Sequence, residues 1–187
     1  MQMVFLELWK KYGTPVILCM ASVASAEQLP TGLIGGVDSS GTGVPYAALV
    51  APDGTATPIT INSITHGSIS SVALNSAGQG LIGGEHHSTT APYAALITPG
   101  GREMPIILSS ITEGAISSVA LNSAGQGLIG GVDSSGTGVP YVALIAPGGK
   151  ATPIMISSIT HGSINSVALN SSGQGLIGGE HHSTIAP

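Results

Sequence analysis

Charge is what this chain has least of. Asp, Glu, Lys and Arg together make up 7% of its 187 residues, where a soluble domain usually carries about a quarter. That excludes a charge-rich disordered tail. It also excludes a basic nucleic-acid binder, which needs Lys and Arg clustered along a phosphate backbone. Aromatic residues are 3%, so the core must be built from Ile, Val, Leu and Ala. A single Cys rules out a disulfide framework. The low charge excludes a coiled coil as well, and beyond residue 26 no segment holds apolar residues at helical spacing over a helix length free of Gly, Pro or clustered Ser, which leaves that part all-β. The 28 Gly do not recur every third residue, so a collagen-like triple helix is excluded too.

What remains is a chain that is 42% apolar, with a mean hydropathy of +0.43 and length enough to bury a sizeable core. Its first 26 residues differ from the rest. Lys10 and Lys11 form a positive flank, the segment 14–23 is largely apolar, and Ala24-Ser25-Ala26 supplies the small residues that a signal peptidase requires. This predicts a signal peptide over 1–26, a short linker over 27–31, and an exported product in the periplasm, at the cell surface or outside the cell. The apolar run is about half the roughly 20 residues needed to span a bilayer, so no stable transmembrane span is expected after cleavage. Cleavage after Ala26 leaves two basic residues, Arg102 and Lys150, against eight acids, a net charge of −6. Nucleic acid is therefore not expected as a partner.

From Gly32 onward the chain repeats. Gly-Leu-Ile-Gly-Gly begins at Gly32, Gly80, Gly127 and Gly175, and Ser-Val-Ala-Leu-Asn-Ser begins at Ser71, Ser118 and Ser166. The units are 32–79, 80–126, 127–174 and a partial 175–187. Residues 32–79 and 127–174 are identical at 40 of 48 positions, so a pair of units was duplicated. The first and third units follow the glycines with Val-Asp-Ser-Ser; the second and fourth carry Glu-His-His-Ser.

Four strands are expected per unit, exemplified by 69–75, 80–84, 93–97 and 105–109. The turn Ser76-Ala77-Gly78-Gln79 offers Gly where a positive φ is needed. Four short strands in 47 or 48 residues, joined alternately by tight turns and longer loops, predict a β-propeller-like array; a β-solenoid with two coils per unit is the competing architecture. Through the pentapeptide, the Ser-Val-Ala-Leu-Asn-Ser motif and the recurrent Pro-Tyr, residues 32–187 resemble secreted bacterial β-propeller repeats and, more loosely, the passenger repeats of autotransporter-like surface proteins. Strands counted from Gly32 fall three, four, four and two, short of the four to eight blades with which propellers close. The array is thus expected to be incomplete, with open ends that invite self-association.

Strand alternation sends the loop after the second strand and the loop after the fourth to one face. That gathers Asp38, His66, Glu85, His86, His87, Glu113, Asp133, His161, Glu180, His181 and His182, the candidate binding residues. His66, His86 and His87 carry ligand chemistry suited to a divalent ion. Adjacent His residues in extended chain point to opposite sides, however, so solvated polar loops are the preferred reading, with no cofactor expected. The glycine pentapeptide lacks the helix and Lys of a phosphate loop and is read as close strand packing or bulging. Tyr46, Tyr93 and Tyr141 are read as core anchors with a polar tip. Each catalytic candidate recurs with the repeat and no unit breaks it, which argues against an enzyme. The expected function is a non-enzymatic exported scaffold presenting loops to a protein or glycan. A secreted propeller hydrolase or lyase, and a purely structural surface spacer, are the alternatives.

Overall fold

A computed structural model of the chain describes residues 28–39 and 43–182. All regular structure among these residues is β, in thirteen strands and four antiparallel sheets. Sheet 1 holds β1 (Gly32–Asp38), β2 (Val44–Val50) and β3 (Ala56–Pro58). Sheet 2 holds β4 (Gly67–Leu74), β5 (Gly80–His86), β6 (Ala91–Ile97) and β7 (Glu103–Pro105). Sheet 3 repeats that set as β8 (Gly114–Leu121), β9 (Gly127–Asp133), β10 (Val139–Ile145) and β11 (Ala151–Pro153). Sheet 4 holds β12 (Gly162–Leu169) and β13 (Gly175–His181).

The expected count of three, four, four and two strands is therefore met. Each of the three full sequence units counted from its pentapeptide supplies three strands to one sheet and the first strand of the next. One strand needs correction. The outermost strand of sheet 2 is Glu103–Pro105, not 105–109, because its pairing to β6 covers only Ala95 to Ile97. Ile106 adds one further backbone bond, to the Ala94 carbonyl, and the chain then leaves the sheet.

The turn after β4 forms as its residues predict. Gly78 has φ of +75°, and the Asn75 side-chain carbonyl accepts the N–H groups of Ala77 and Gln79 at 3.0 Å each. The Asn side chain thereby mimics a backbone turn and fixes it locally.

The paired glycines of the pentapeptide have separate duties. A Cβ on Gly83 would stand 2.6 Å from Ile116 Cγ2 and 2.7 Å from Val119 Cγ1, two side chains of β8 in the next sheet. Gly35 meets Ile69 and Val72 in the same way, and Gly130 meets Ile164 and Val167. The second glycine serves its own sheet. Strand β4 bulges between Ile69 and Ser71, and that bulge brings the Ser68 carbonyl onto Gly84, where a Cβ would collide with it. The reading of these glycines as sites of close packing and bulging is met on both counts.

Sheets follow one another face to face, with β4 against β1, β8 against β5 and β12 against β9. Three apolar cores lie between them. Ala47, Leu49, Ile69, Ile82 and Tyr93 join sheets 1 and 2. Leu81, Ile116, Val119 and Ile129 join sheets 2 and 3. Leu128, Val142, Ile164 and Val167 join sheets 3 and 4. Burying each such aliphatic side chain contributes about 1.5–3 kcal/mol.

Candidate functional site

Antiparallel registers decide where the eleven candidate residues go. In sheet 2, β4 starts opposite the end of β5, with Gly67 across from His86 and Ser68 across from Glu85. Gly114 stands across from Asp133 in sheet 3, and Gly162 across from His181 in sheet 4. The loop entering each first strand and the loop leaving each second strand therefore share one end of the sheet. Asp38 ends β1 at the corresponding place, paired with Val44. All eleven residues accordingly lie at the same end of their sheets, and none is buried.

Backbone hydrogen bonds hold these loops in order. Within a sheet, His87 N–H donates to the His66 carbonyl at 3.0 Å, Ser134 to Glu113 at 2.9 Å, and His182 to His161 at 3.0 Å. Between sheets, Gly67 donates to Gly43 at 3.0 Å, Gly114 to Thr90 at 2.6 Å, and Gly162 to Gly138 at 2.9 Å. The second series ties the loop of each sheet to the entry of the next, so the loop end is a continuous, braced surface. Gly43 and Gly138 take φ of +76° and +79°, which this connection requires.

Side chains on this surface pair locally. His87 Nε2 is 3.6 Å from Glu85 Oε1, and His182 Nε2 is 3.5 Å from Glu180 Oε1. Alternation along the strand puts Glu and the second His on one side and the first His on the other. His86 Nδ1 accordingly meets the Ser88 hydroxyl at 3.0 Å instead. Hydrogen bonding from Ser163, followed by the charge of His182, holds the Glu180 carboxyl below its ordinary value. His66 contributes a backbone carbonyl to His87, while its ring Nδ1 is 3.1 Å from the Thr65 hydroxyl. Among the described residues, no three His, Cys, Asp or Glu side chains are gathered closely enough to hold a metal ion.

A second cluster breaks the repeat, contrary to the expectation that no unit does so. Arg102-Glu103-Met104 stands where the other units have Thr55-Ala56-Thr57 and Lys150-Ala151-Thr152. Glu103 reaches from sheet 2 to the loop after sheet 1. Its carboxylate accepts Asn62 N–H at 2.8 Å, the Ser63 hydroxyl, and the Tyr93 hydroxyl at 2.6 Å. Partial burial raises the Glu103 pKa, but the donors from Ser63, Tyr93 and Asn62 outweigh it and hold the carboxyl below its ordinary value. Burial, then the bond to Glu103, pushes the Tyr93 phenol far above its usual range. With its lone pairs committed to these donors, Glu103 is a clamp between two sheets rather than a free acid. Beside it opens a groove of about 600 Å³ lined by Leu49, Thr57, Thr60, Asn62, Arg102 and Glu103, at the turn end opposite the His-bearing loops.

The tyrosines divide. Tyr93 and Tyr141 are 6% and 7% exposed, with the Tyr141 hydroxyl 3.3 Å from Ser110, so the core-anchor reading holds for them. Tyr46 is 40% exposed, because no described sheet covers that face of sheet 1. Sequence reasoning also passed over the polar ladder between sheets. Val119 N–H donates to Ser71 Oγ and Val167 N–H to Ser118 Oγ, both at 3.1 Å. Repetition of Ser and Asn inside an otherwise apolar motif was the available signal.

Compared with known proteins, the chain matches no family model and no curated protein sequence.

Proposed function

We propose that the chain is an exported, non-enzymatic repeat scaffold of propeller-like architecture, whose acidic and His-bearing loop end binds a protein or glycan partner. The observation that carries this reading is the collection of Asp38, Glu85, His87, Glu113, Asp133 and Glu180, with their loop neighbours, on one backbone-braced end of four successive sheets. Binding residues concentrate on loops that a rigid scaffold positions, and ordering those loops in advance lowers the entropy cost of binding. The face-to-face succession of sheets, each an antiparallel run of sequence-adjacent strands, favours radial propeller-like repetition over solenoid coils. Export rests on the Lys10–Lys11 flank, the apolar segment and the Ala-Ser-Ala site. The non-enzymatic reading rests on the repetition of each loop acid and His, and on Glu103, the residue that does break the repeat, being held as a sheet-to-sheet clamp.

A glycan array and a panel of purified surface proteins, probed with the chain and with a variant carrying Ser in both Glu-His-His triplets, test the reading. Binding by the parent and its loss in the variant, with unchanged circular dichroism, is the expected result. No binding by the parent, or equal binding by both, overturns it and favours a structural spacer.

A further inference from the structure

One contact recurs at every junction between sheets. Leu33 of sheet 1 projects over Gly80 of sheet 2, Leu81 over Gly127, and Leu128 over Gly175. A Cβ on the receiving glycine would stand 2.8, 2.7 and 2.8 Å from the leucine Cδ2, so the absence of a side chain forms the seat. Among the described residues, both halves of a fourth such contact are present and unfilled. Leu176, the next leucine in the series, is 73% exposed, whereas Leu81 and Leu128 are 0% and 1% exposed. At the other end, a Cβ on Gly32 would meet only Val50 of its own sheet.

The rest of each end face agrees. Gly178 occupies the place at which Gly35, Gly83 and Gly130 each receive an Ile and a Val from the next sheet, and no described residue lies within 4 Å of its Cβ position. On sheet 1, Ile34 and Tyr46 are 44% and 40% exposed, whereas their counterparts Ile82 and Tyr93 are 0% and 6%. An outer face built as a donor of Leu thus stands at sheet 4, and one built as its acceptor stands at sheet 1.

We propose that these faces join two copies of this chain head to tail, Leu176 of one copy seating over Gly32 and against Ile34 of the next. The occupant is argued from continuity: the contact is the one the chain already makes three times internally, and sheet 1 of a second copy carries the matching glycine and apolar face. Sheet 1 lacks, among the described residues, the first strand that fills the glycine cup elsewhere. The Leu-over-Gly seat does not involve that strand. Because the two faces differ, the interface is heterologous, and a contact of that kind adds copies in series.

Sedimentation velocity over a concentration series, on the purified full chain and three variants, tests this. Leu176→Asp and Leu176→Arg block the sheet 4 face, and both alter a side chain exposed in the single chain, so folding is retained. Ile34→Asp blocks the sheet 1 face. The parent is expected to form concentration-dependent oligomers, and each variant to weaken association roughly 100-fold, a typical loss at a central contact. An equimolar mixture of Leu176→Asp and Ile34→Asp retains one intact face of each kind. It should give a 1:1 dimer and nothing larger. A parent that stays monomeric at every concentration, variants that associate like the parent, or a mixture that stays monomeric would each overturn the proposal.

Discussion

The side-chain amide of Asn75 donates to the backbone carbonyl of Asn122 across 3.1 Å, joining a turn of sheet 2 to the matching turn of sheet 3. Asn122 donates in the same way to the Asn170 carbonyl at 3.2 Å. Each of these residues also holds its own turn through its side-chain carbonyl. One side chain therefore does a local job and an intersheet job, and buried polar groups of this kind are costly to leave unmatched. Asn122 is 4% exposed and has both partners. Asn170 caps its turn but reaches no following sheet among the described residues. Asn122→Ala is expected to lower stability by about 2–3 kcal/mol and Asn170→Ala by about 1 kcal/mol. Urea unfolding of the two variants checks the ranking; equal losses would remove the intersheet role.

The glycine seats predict a contrast at chemically identical positions. A methyl group on Gly83 must push Ile116 and Val119 away from their seat, whereas one on Gly178 meets nothing. Overpacking of this kind costs about 1–3 kcal/mol. Gly178→Ala replaces a flexible strand residue without a clash and should be neutral or stabilising by a few tenths of a kcal/mol. Thermal unfolding of Gly83→Ala and Gly178→Ala distinguishes the two environments.

Much of this arrangement was legible because it is local or periodic. The period follows from the pentapeptide, the tight turn from Asn75 and Gly78, and the common end of the eleven loop residues from the alternation of strand direction. The outer strand of sheet 2 was misplaced because three residues carry no alternation, and its extent is decided by pairing to β6. The intersheet bonds of Ser71 and Asn75 depend on partners about 47 residues away, which propensity does not register. Tyr46 fails as a core anchor for a similar reason: its sequence setting matches that of Tyr93, but burial is conferred by a neighbouring sheet. Glu103 left a visible signal, a charged residue where the other units have Ala56 and Ala151, and only the fold brings Asn62, Ser63 and Tyr93 to it.

Glu103 makes stability depend on acid pH. Its folded-state pKa lies below the ordinary 4.5, so the unfolded chain binds its proton first as pH falls. Its contribution is complete above about pH 5 and is lost as pH drops through the folded value. Glu103→Gln removes that dependence and weakens the clamp to Asn62, Ser63 and Tyr93, costing about 1.5 kcal/mol at neutral pH. Urea midpoints from pH 7 to pH 3 should fall more steeply for the parent than for the variant. Parallel curves would show that the clamp does not link protonation to folding.

Thr90 carries φ of +52° and is the one non-glycine residue at positive φ among those described. It holds the place that Gly43 and Gly138 occupy in the neighbouring sheets, and its carbonyl accepts Gly114 N–H just as theirs accept Gly67 and Gly162. The intersheet bond fixes the backbone there whatever the side chain, and a β-branched residue in that conformation is strained. Relief of the strain competes with the extra chain entropy that glycine adds to the unfolded state. For a β-branched Thr the strain outweighs that entropy, so Thr90→Gly should raise stability by about 1 kcal/mol, with no change in circular dichroism. Thr90→Ala, which keeps a Cβ at positive φ, should recover only part of that gain. If both variants melt at or below the parent temperature, the loop conformation costs nothing, and the braced surface gains no stability from a glycine at this junction.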